Sequence, residues 1–537
     1  MKKSDKKRKH QSSKNEHSST QKDTSLKAQK KLKANIGKTN TGIKTKKWFY
    51  AVLLILPFLF FILLEISLQM FDYGYNTKQW LDAGGGKFII NPDISKRYFN
   101  NVSFAPITSE DVFDQQKKTN SFRVFVIGGS SAAGFPYMPM GSFSRYVKKR
   151  LELVYPNTPI EVVNISMTAI NSYTLLDLFP GILDQKPNLV LIYAGHNEYY
   201  GALGVGSVES FGNSRLLIKS ILYLNQFKTT QLIRNFITKI FSAFASSNEN
   251  ASNGTLMSKI AKDKSIKLNS EKFYSGVEQF YNNIKEISEE ARDKNVPIII
   301  GNLVSNLKDQ KPFISIQTDG FGNANEIYSE AKKELKTGNN IKADSLFRLA
   351  KDLDGLRFRA PEKINIIIDS ISNEFNLPKV PLDSIFNSNS QDGIVGNNFM
   401  VDHLHPTING YRLIGKSFYE EMVKQKFLPQ NETQQIPFNK QDSATIKNIM
   451  FTELDQTIGD YLVTSLKNDW PFKNENEKIP LISLLVPRNF MDSVALKVIE
   501  EKITWAEAQV EAATYYLRKD DIKNYLNHMN VLIYQYP

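Results

Sequence analysis

Five short apolar runs limit what this chain can fold into more than any other feature: residues 122–127, 160–163, 189–193, 296–300 and 380–382. Continuous Val/Ile/Leu/Phe runs of this length are the pattern of parallel strands buried on both faces. Helical spacing lies between them. Residues 142–154 place Phe143, Tyr146, Val147, Leu151 and Val154 on one face before Pro156 and Pro159 close the segment, and 171–183 reads as a second helix. Strand alternating with helix implies right-handed crossovers, so the predicted fold is α/β with a three-layer α/β/α parallel sheet.

The first run empties abruptly into Gly128-Gly129-Ser130-Ser131. Glycine there lets the backbone turn sharply and approach a ligand closely, and Ser130 falls outside a strand's carboxyl end, where open α/β sheets bind their ligands. A glycine-rich turn that binds a phosphate, or nothing, is the plainer reading of four such residues.

Sixteen of the 68 Lys+Arg lie in residues 1–47 beside three acidic residues, so this tail holds the chain's entire net charge of +13. Rich in Lys, Ser, Asn and Gln and without apolar periodicity, 1–47 is predicted to be a disordered, basic cytoplasmic tail. Residues 48–64 carry no charge. The apolar stretch extends to Met70 with Glu65 its sole charge, 23 residues that span a bilayer core as a helix. Trp48 and Tyr50 lie where an aromatic belt belongs, Pro57 is tolerable in such a helix, and no small-x-small cleavage site follows. Basic residues stop at Lys47, so the positive-inside rule places the N-terminus in the cytoplasm and everything beyond Met70 outside, in the periplasm if the source is bacterial. A membrane therefore explains the tail better than nucleic acid does. The chain has no cysteine, which removes disulfides, zinc thiolates and thiol nucleophiles together.

A lead-in at 71–120 precedes a domain at 121–430 with two helical insertions. The first, 206–270, ends in polar sequence containing sequons at Asn250 and Asn253. The second, 324–354, spaces Ala331, Gly338, Ala343, Phe347 and Ala350 like one tetratricopeptide hairpin. One such repeat cannot bury its own face, so it should pack on the sheet domain or receive another repeat. Residues 431–537 read as helices without a strand partner, again with a tetratricopeptide-like hairpin spacing, and such hairpins offer a surface to a protein partner.

A serine nucleophile needs a base. Of six histidines, His10 and His17 are in the tail and His528 is near the end, leaving His196, His403 and His405. In Asp402-His403-Leu404-His405, on a turn before a helix predicted at 411–426, a carboxylate three residues ahead of an imidazole can reach its Nδ1 and set the tautomer. Asn197 follows the third strand and could donate to an oxyanion, and the turn 164–169 adds backbone N–H groups. Four separate segments thus point to one sheet edge.

At these residues the chain resembles the SGNH (GDSL-like) hydrolase family. Gly128-Gly129-Ser130 stands where that family has Gly-Asp-Ser, Gly195-His196-Asn197-Glu198 where it has Gly-x-Asn-Asp, and Asp402-His403-Leu404-His405 where it has Asp-x-x-His. The resemblance implies a flavodoxin-like sheet, Ser130 as nucleophile, His405 as base, Asp402 as its orienter, and an oxyanion hole from Ser130, Ala169 and Asn197, with no cofactor and no metal. Ala169 replaces the family's oxyanion glycine, an exchange that requires negative φ. Gly129 and Glu198 depart from the family's acidic residues.

Tyr199 and Tyr200 beside the proposed site, and Arg357 and Arg359 in Leu356-Arg357-Phe358-Arg359, are candidate substrate contacts, weighed against packing and structural ion pairs. The leading expectation is a membrane-anchored serine esterase acting on an acylated polysaccharide or lipid of the envelope. Three others stand beside it: an O-acyltransferase using the same triad, a metal site of His196, Glu198, Asp402, His403 and His405, and a non-catalytic tethered scaffold that Gly129 would suit.

Overall fold

The computed structural model describes residues 46–108, 110–212, 214–244, 254–261 and 265–536. Nearly all of the basic tail, and both sequon asparagines, lie outside them. Lys47–Met70 is a single helix, Pro57 included, and is long and apolar enough to cross a membrane.

Beyond it, β1 (Trp80–Gly84), β2 (Lys87–Ile90) and β3 (Val112–Asp114) form a small antiparallel sheet within the stretch read as a lead-in. Trp80 fastens this sheet to the body. Its indole N–H donates to the Gly181 carbonyl at 3.1 Å, and its ring meets Phe113 and Phe125 at 5.1 and 5.8 Å.

The main sheet uses β4 (Phe122–Gly128), β5 (Ile160–Asn164), β6 (Leu189–Tyr193) and β7 (Ile298–Gly301). After the two-residue ladder of β8 (Gln317–Thr318) with β9 (Gly322–Asn323), β10 (Lys379–Val380) completes it. Its order is β10-β7-β6-β4-β5, every pairing parallel. Counted within the sheet this is 2-1-3-4-5, a doubly wound order that reverses beside β4 and leaves a crevice at the carboxyl ends of β4 and β6. All residues of β4, β6 and β7 are buried, as their apolar runs require. The last strand is short because Pro378 and Pro381 flank it and proline cannot donate to a ladder.

Phe143–Val154 and Ile408–Lys424 pack together on one face of the sheet; Ser172–Leu183, Glu271–Asp293 and Glu362–Phe375 pack on the other, giving the three layers. Phe143 and Phe418 stack at 5.1 Å in the first of these helix layers.

The second insertion is a hairpin of Ala324–Lys336 and Asn340–Asp352, and it closes Ala331, Ala343 and Phe347 over Leu307 and Ile394 of the body rather than over another repeat. At the C-terminal end, Phe438–Asn448 packs on Phe143–Val154. Glu453–Lys467, Phe490–Ile499 and Trp505–Arg518 share a second apolar cluster around Leu454, Val494 and Ala512. Ile522–Gln535 pairs with Trp505–Arg518, and its end returns to the body: Gln535 bonds Arg145 and the Glu110 carbonyl, and the Tyr534 hydroxyl donates to Glu152 at 3.1 Å.

Candidate active site

Ser130 opens the short helix Ser130–Ala133 immediately beyond β4, with Gly129 as its N-cap. A Cβ on Gly129 would sit 2.8 Å from Asn197 Nδ2, so any larger residue there requires that amide to shift. Gly129, which favoured a scaffold by sequence, thus has a steric reason of its own.

The turn carrying Asp402 and His405 is built by its own carboxylate. Asp402 Oδ1 accepts the backbone N–H groups of Leu404 (2.9 Å) and His405 (2.8 Å), and this local bonding turns Asp-x-x-His back on itself. Oδ2 is then 2.6 Å from His405 Nδ1, and His405 Nε2 is 2.8 Å from Ser130 Oγ. A carboxylate accepts, so Nδ1 carries the proton and Nε2 is free to receive one from the hydroxyl. The Phe135 ring lies 4.6 Å from the imidazole, and the Tyr411 hydroxyl holds the Phe135 carbonyl. Ser130, Asp402 and His405 are all buried.

Electrostatics reinforce this arrangement. Burial alone would raise the Asp402 carboxyl, but the His405 and His403 imidazoles and their hydrogen bonds outweigh it and hold the group well below the usual carboxylate range. Burial, with His403, Lys351 and His405 adding to it, drives His196 down to about 3, so this ring is neutral.

Sheet order, a serine beyond the first strand, an amide beyond the third and a carboxylate–imidazole pair beyond the last now stand together. The sheet order is the flavodoxin-like one that the resemblance to SGNH hydrolases implies. No family model and no curated protein matches the chain. Among solved structures it is similar to the acetylxylan esterase Axe2 of Geobacillus stearothermophilus, at 14% identity over 57% of this chain and 96% of that one with a TM-score of 0.30. It is similar also to TesA (12%, 57% and 99%, TM-score 0.29) and to a GDSL-like lipase from Bacteroides thetaiotaomicron (13%, 58% and 93%, TM-score 0.30). Likenesses this remote carry no chemistry over, so function has to be read from the site's own atoms.

The four expected substrate contacts are engaged elsewhere. Tyr199 is buried with its hydroxyl on the Phe273 carbonyl (3.0 Å), and Tyr200 is buried with its ring against Phe358. Arg357 and Arg359 are buried too: Arg357 donates to the Ile266 and Asp352 carbonyls, while Arg359 donates to those of Asn306 and Gln310 and pairs with Asp354 at 3.2 Å. Alternating Arg residues imitate a solvent-facing strand in sequence, but here both guanidiniums rivet loops whose carbonyls lack ladder partners.

Ala169 departs from expectation as well, with φ of +54° where negative φ was required. Its carbonyl accepts the Ala202 N–H at 2.8 Å, which holds the left-handed turn in place. Left-handed alanine is strained by about 1–2 kcal/mol. Ala169→Gly should therefore raise unfolding stability by up to about 1 kcal/mol while keeping the backbone N–H, measured by urea titration.

A small recess of about 10 Å³, room for a single water, opens beside Ser130 and is lined also by Asn197, His196, Ile170 and Asn171. Sequence reasoning missed Asn171. Its Oδ1 caps the Tyr173 N–H at 3.1 Å, and its buried Nδ2 has no protein partner. The available signal was an asparagine at the start of a predicted helix.

Glu198, weighed as a metal ligand, is buried behind the loop, where it accepts Ser172 Oγ (2.7 Å), Ser172 N–H (3.2 Å) and the Gln279 amide. Asp402, His403 and His405 do lie close enough to share an ion. Both ring nitrogens of His405 are nevertheless committed, one to Asp402 and one to Ser130. Burial raises the Glu198 carboxyl to about 7. A carboxyl raised on folding binds its proton more tightly in the native state, so its contribution to stability is complete below about pH 4.5 and is lost as pH rises through about 7, in total on the order of 3 kcal/mol. Glu198→Gln should flatten the fall in melting temperature between about pH 5 and 8, read by calorimetry.

Proposed function

We propose that this chain is a serine esterase that works through an acyl-enzyme. His405 Nε2 takes the Ser130 proton as Oγ attacks the ester carbonyl, and Asp402 steadies the imidazolium that forms. The tetrahedral oxyanion is met by the Ser130 N–H and by the Asn197 amide. Collapse breaks the carbonyl–alkoxide bond, and His405 returns its proton to the departing alcohol. Water, deprotonated by the same imidazole, then cleaves the acyl-serine bond and regenerates the hydroxyl. The observation that carries this reading is the unbroken line of contacts, 2.6 Å from Asp402 to His405 and 2.8 Å from His405 to Ser130.

The substrate is an acylated polysaccharide or lipid of the cell envelope. Support comes from the span at 48–70, from the net positive charge concentrated on its N-terminal side, and from the narrow recess at Ser130, which favours a short acyl group over a long one. A fluorophosphonate probe applied to the purified full chain should label Ser130, located by mass spectrometry, with acetyl esters turned over faster than hexanoyl esters. Labelling at another serine, or none on the folded protein, would remove the proposal.

A further inference from the structure

The first insertion contributes the helices Arg215–Leu224 and Lys228–Phe244. Toward the body the first buries Ile218 and Leu222, and the second buries Lys228, Thr229 and Gln231. Each also carries an apolar stripe that faces outward. On the first helix it consists of Leu216, Leu217, Tyr223 and Leu224, with Leu216 78% and Tyr223 62% exposed; on the second it consists of Ile233, Phe236, Ile237 and Ile240, with Phe236 63% exposed. At about 100° per residue, the outward sets fall within sectors of about 120° and about 100°, which is an organised face rather than a scatter. From Arg215 to Phe244 there are five cations, Arg215, Lys219, Lys228, Arg234 and Lys239, and no acidic residue.

The second of these helices is held against the chain where it leaves the apolar span. Lys228 pairs with Asp72 at 2.7 Å, two residues beyond Met70. Gln231 brackets Tyr75, accepting its N–H and donating to its carbonyl, both at 3.0 Å, while Arg234 donates to the Tyr75 hydroxyl at 2.9 Å and the Asn235 amide to the Tyr73 hydroxyl at 3.1 Å. Phe71, next to the span, is itself 84% exposed.

We propose that the outward face of this hairpin lies in the headgroup region of the bilayer that anchors the chain. The inference rests on the membrane-anchored reading of residues 48–70. Chain length leaves little choice. A helix bonded to Asp72 and Tyr75 sits within a few residues of the bilayer surface, and a solvent-facing apolar stripe there loses its water contact by settling into the interface. The cations of the hairpin are engaged within the protein, Arg215 and Lys219 with Glu286 and Lys228 with Asp72, so the apolar stripe carries the attraction to the interface. The insertion then serves as a second membrane contact beside the span.

The absence of native cysteine makes the test clean. Single spin labels are placed on the full chain at Leu217→Cys, Phe236→Cys, Leu56→Cys within the span, and Ile341→Cys, an 89% exposed apolar position on the other insertion. The protein is set in nanodiscs of mixed phosphatidylcholine and phosphatidylglycerol, and acetyl-ester turnover checks that each variant is folded. Collision with oxygen should exceed collision with a water-soluble nickel chelate at 217, 236 and 56, and the ratio should reverse at 341. If 217 and 236 meet the chelate freely while 56 meets oxygen, the hairpin inference falls and the anchor stands. If 56 also meets the chelate, the anchored reading fails and takes the inference with it. Labels at 217 and 236 reached by neither reagent would mean a protein surface, such as a second copy of the chain, covers this face, and would likewise overturn the proposal.

Discussion

Asp402→Asn lowers acetyl-ester kcat by about 10⁴ and leaves the folded spectrum intact. The substituted amide oxygen can still accept the Leu404 and His405 N–H groups that Oδ1 accepts now, so the turn survives. What changes is the atom facing His405. An amide NH₂ in place of Oδ2 cannot accept from Nδ1, so the ring moves its proton to Nε2 and points a donor at Ser130, where an acceptor is needed. Steady-state kinetics with circular dichroism check the result. A loss of less than tenfold would mean that Asp402 only shapes the turn.

The second large effect lies at the oxyanion. Asn197→Ala should cost about 10²–10³ in kcat with KM little changed, because the amide is needed most when charge has gathered on the carbonyl oxygen. Gly129→Asp should go the same way. The new Cβ would meet Asn197 Nδ2 at 2.8 Å and displace it, although the substitution restores the acidic residue of the family that the chain resembles. Activity preserved in Gly129→Asp but lost in Asn197→Ala would show that the amide can shift without leaving the site. If both variants kept full turnover, Asn197 would have no part in the chemistry.

Much of the fold was legible because burial on both faces leaves a direct imprint. The runs at β4 and β6 are apolar at nearly every position, and their strand bounds lie within a residue of the sequence reading. The short β10 was legible only as a place, since two prolines hide a two-residue strand in an otherwise ordinary loop. Asp402 and His405 could be paired in advance because three residues of turn suffice to join them. Ser130 could be named only as a candidate, since its partner lies 275 residues away. The aromatic and cationic candidates Tyr199, Tyr200, Arg357 and Arg359 misled for one reason: these side chains have the same composition whether they wait for a ligand or close a core. Ala169 shows the reverse case, a backbone angle that no local pattern discloses and that the Ala202 hydrogen bond imposes.

Residues close together in the chain settle the parallel strands, the apolar span, the displacement of charge into the tail and the local geometry of the Asp402–His405 turn. Periodicity and short-range hydrogen bonds act over those distances, so the pattern of letters is enough. Three matters needed the folded molecule: that β4, β6 and the turn before the last helix of the sheet domain meet at one crevice, that Asn197 occupies the space Gly129 leaves, and that an insertion turns its apolar stripe outward beside residues 72–75. Such meetings depend on how distant segments pack, and packing is a property of volumes in contact that no single stretch of sequence contains.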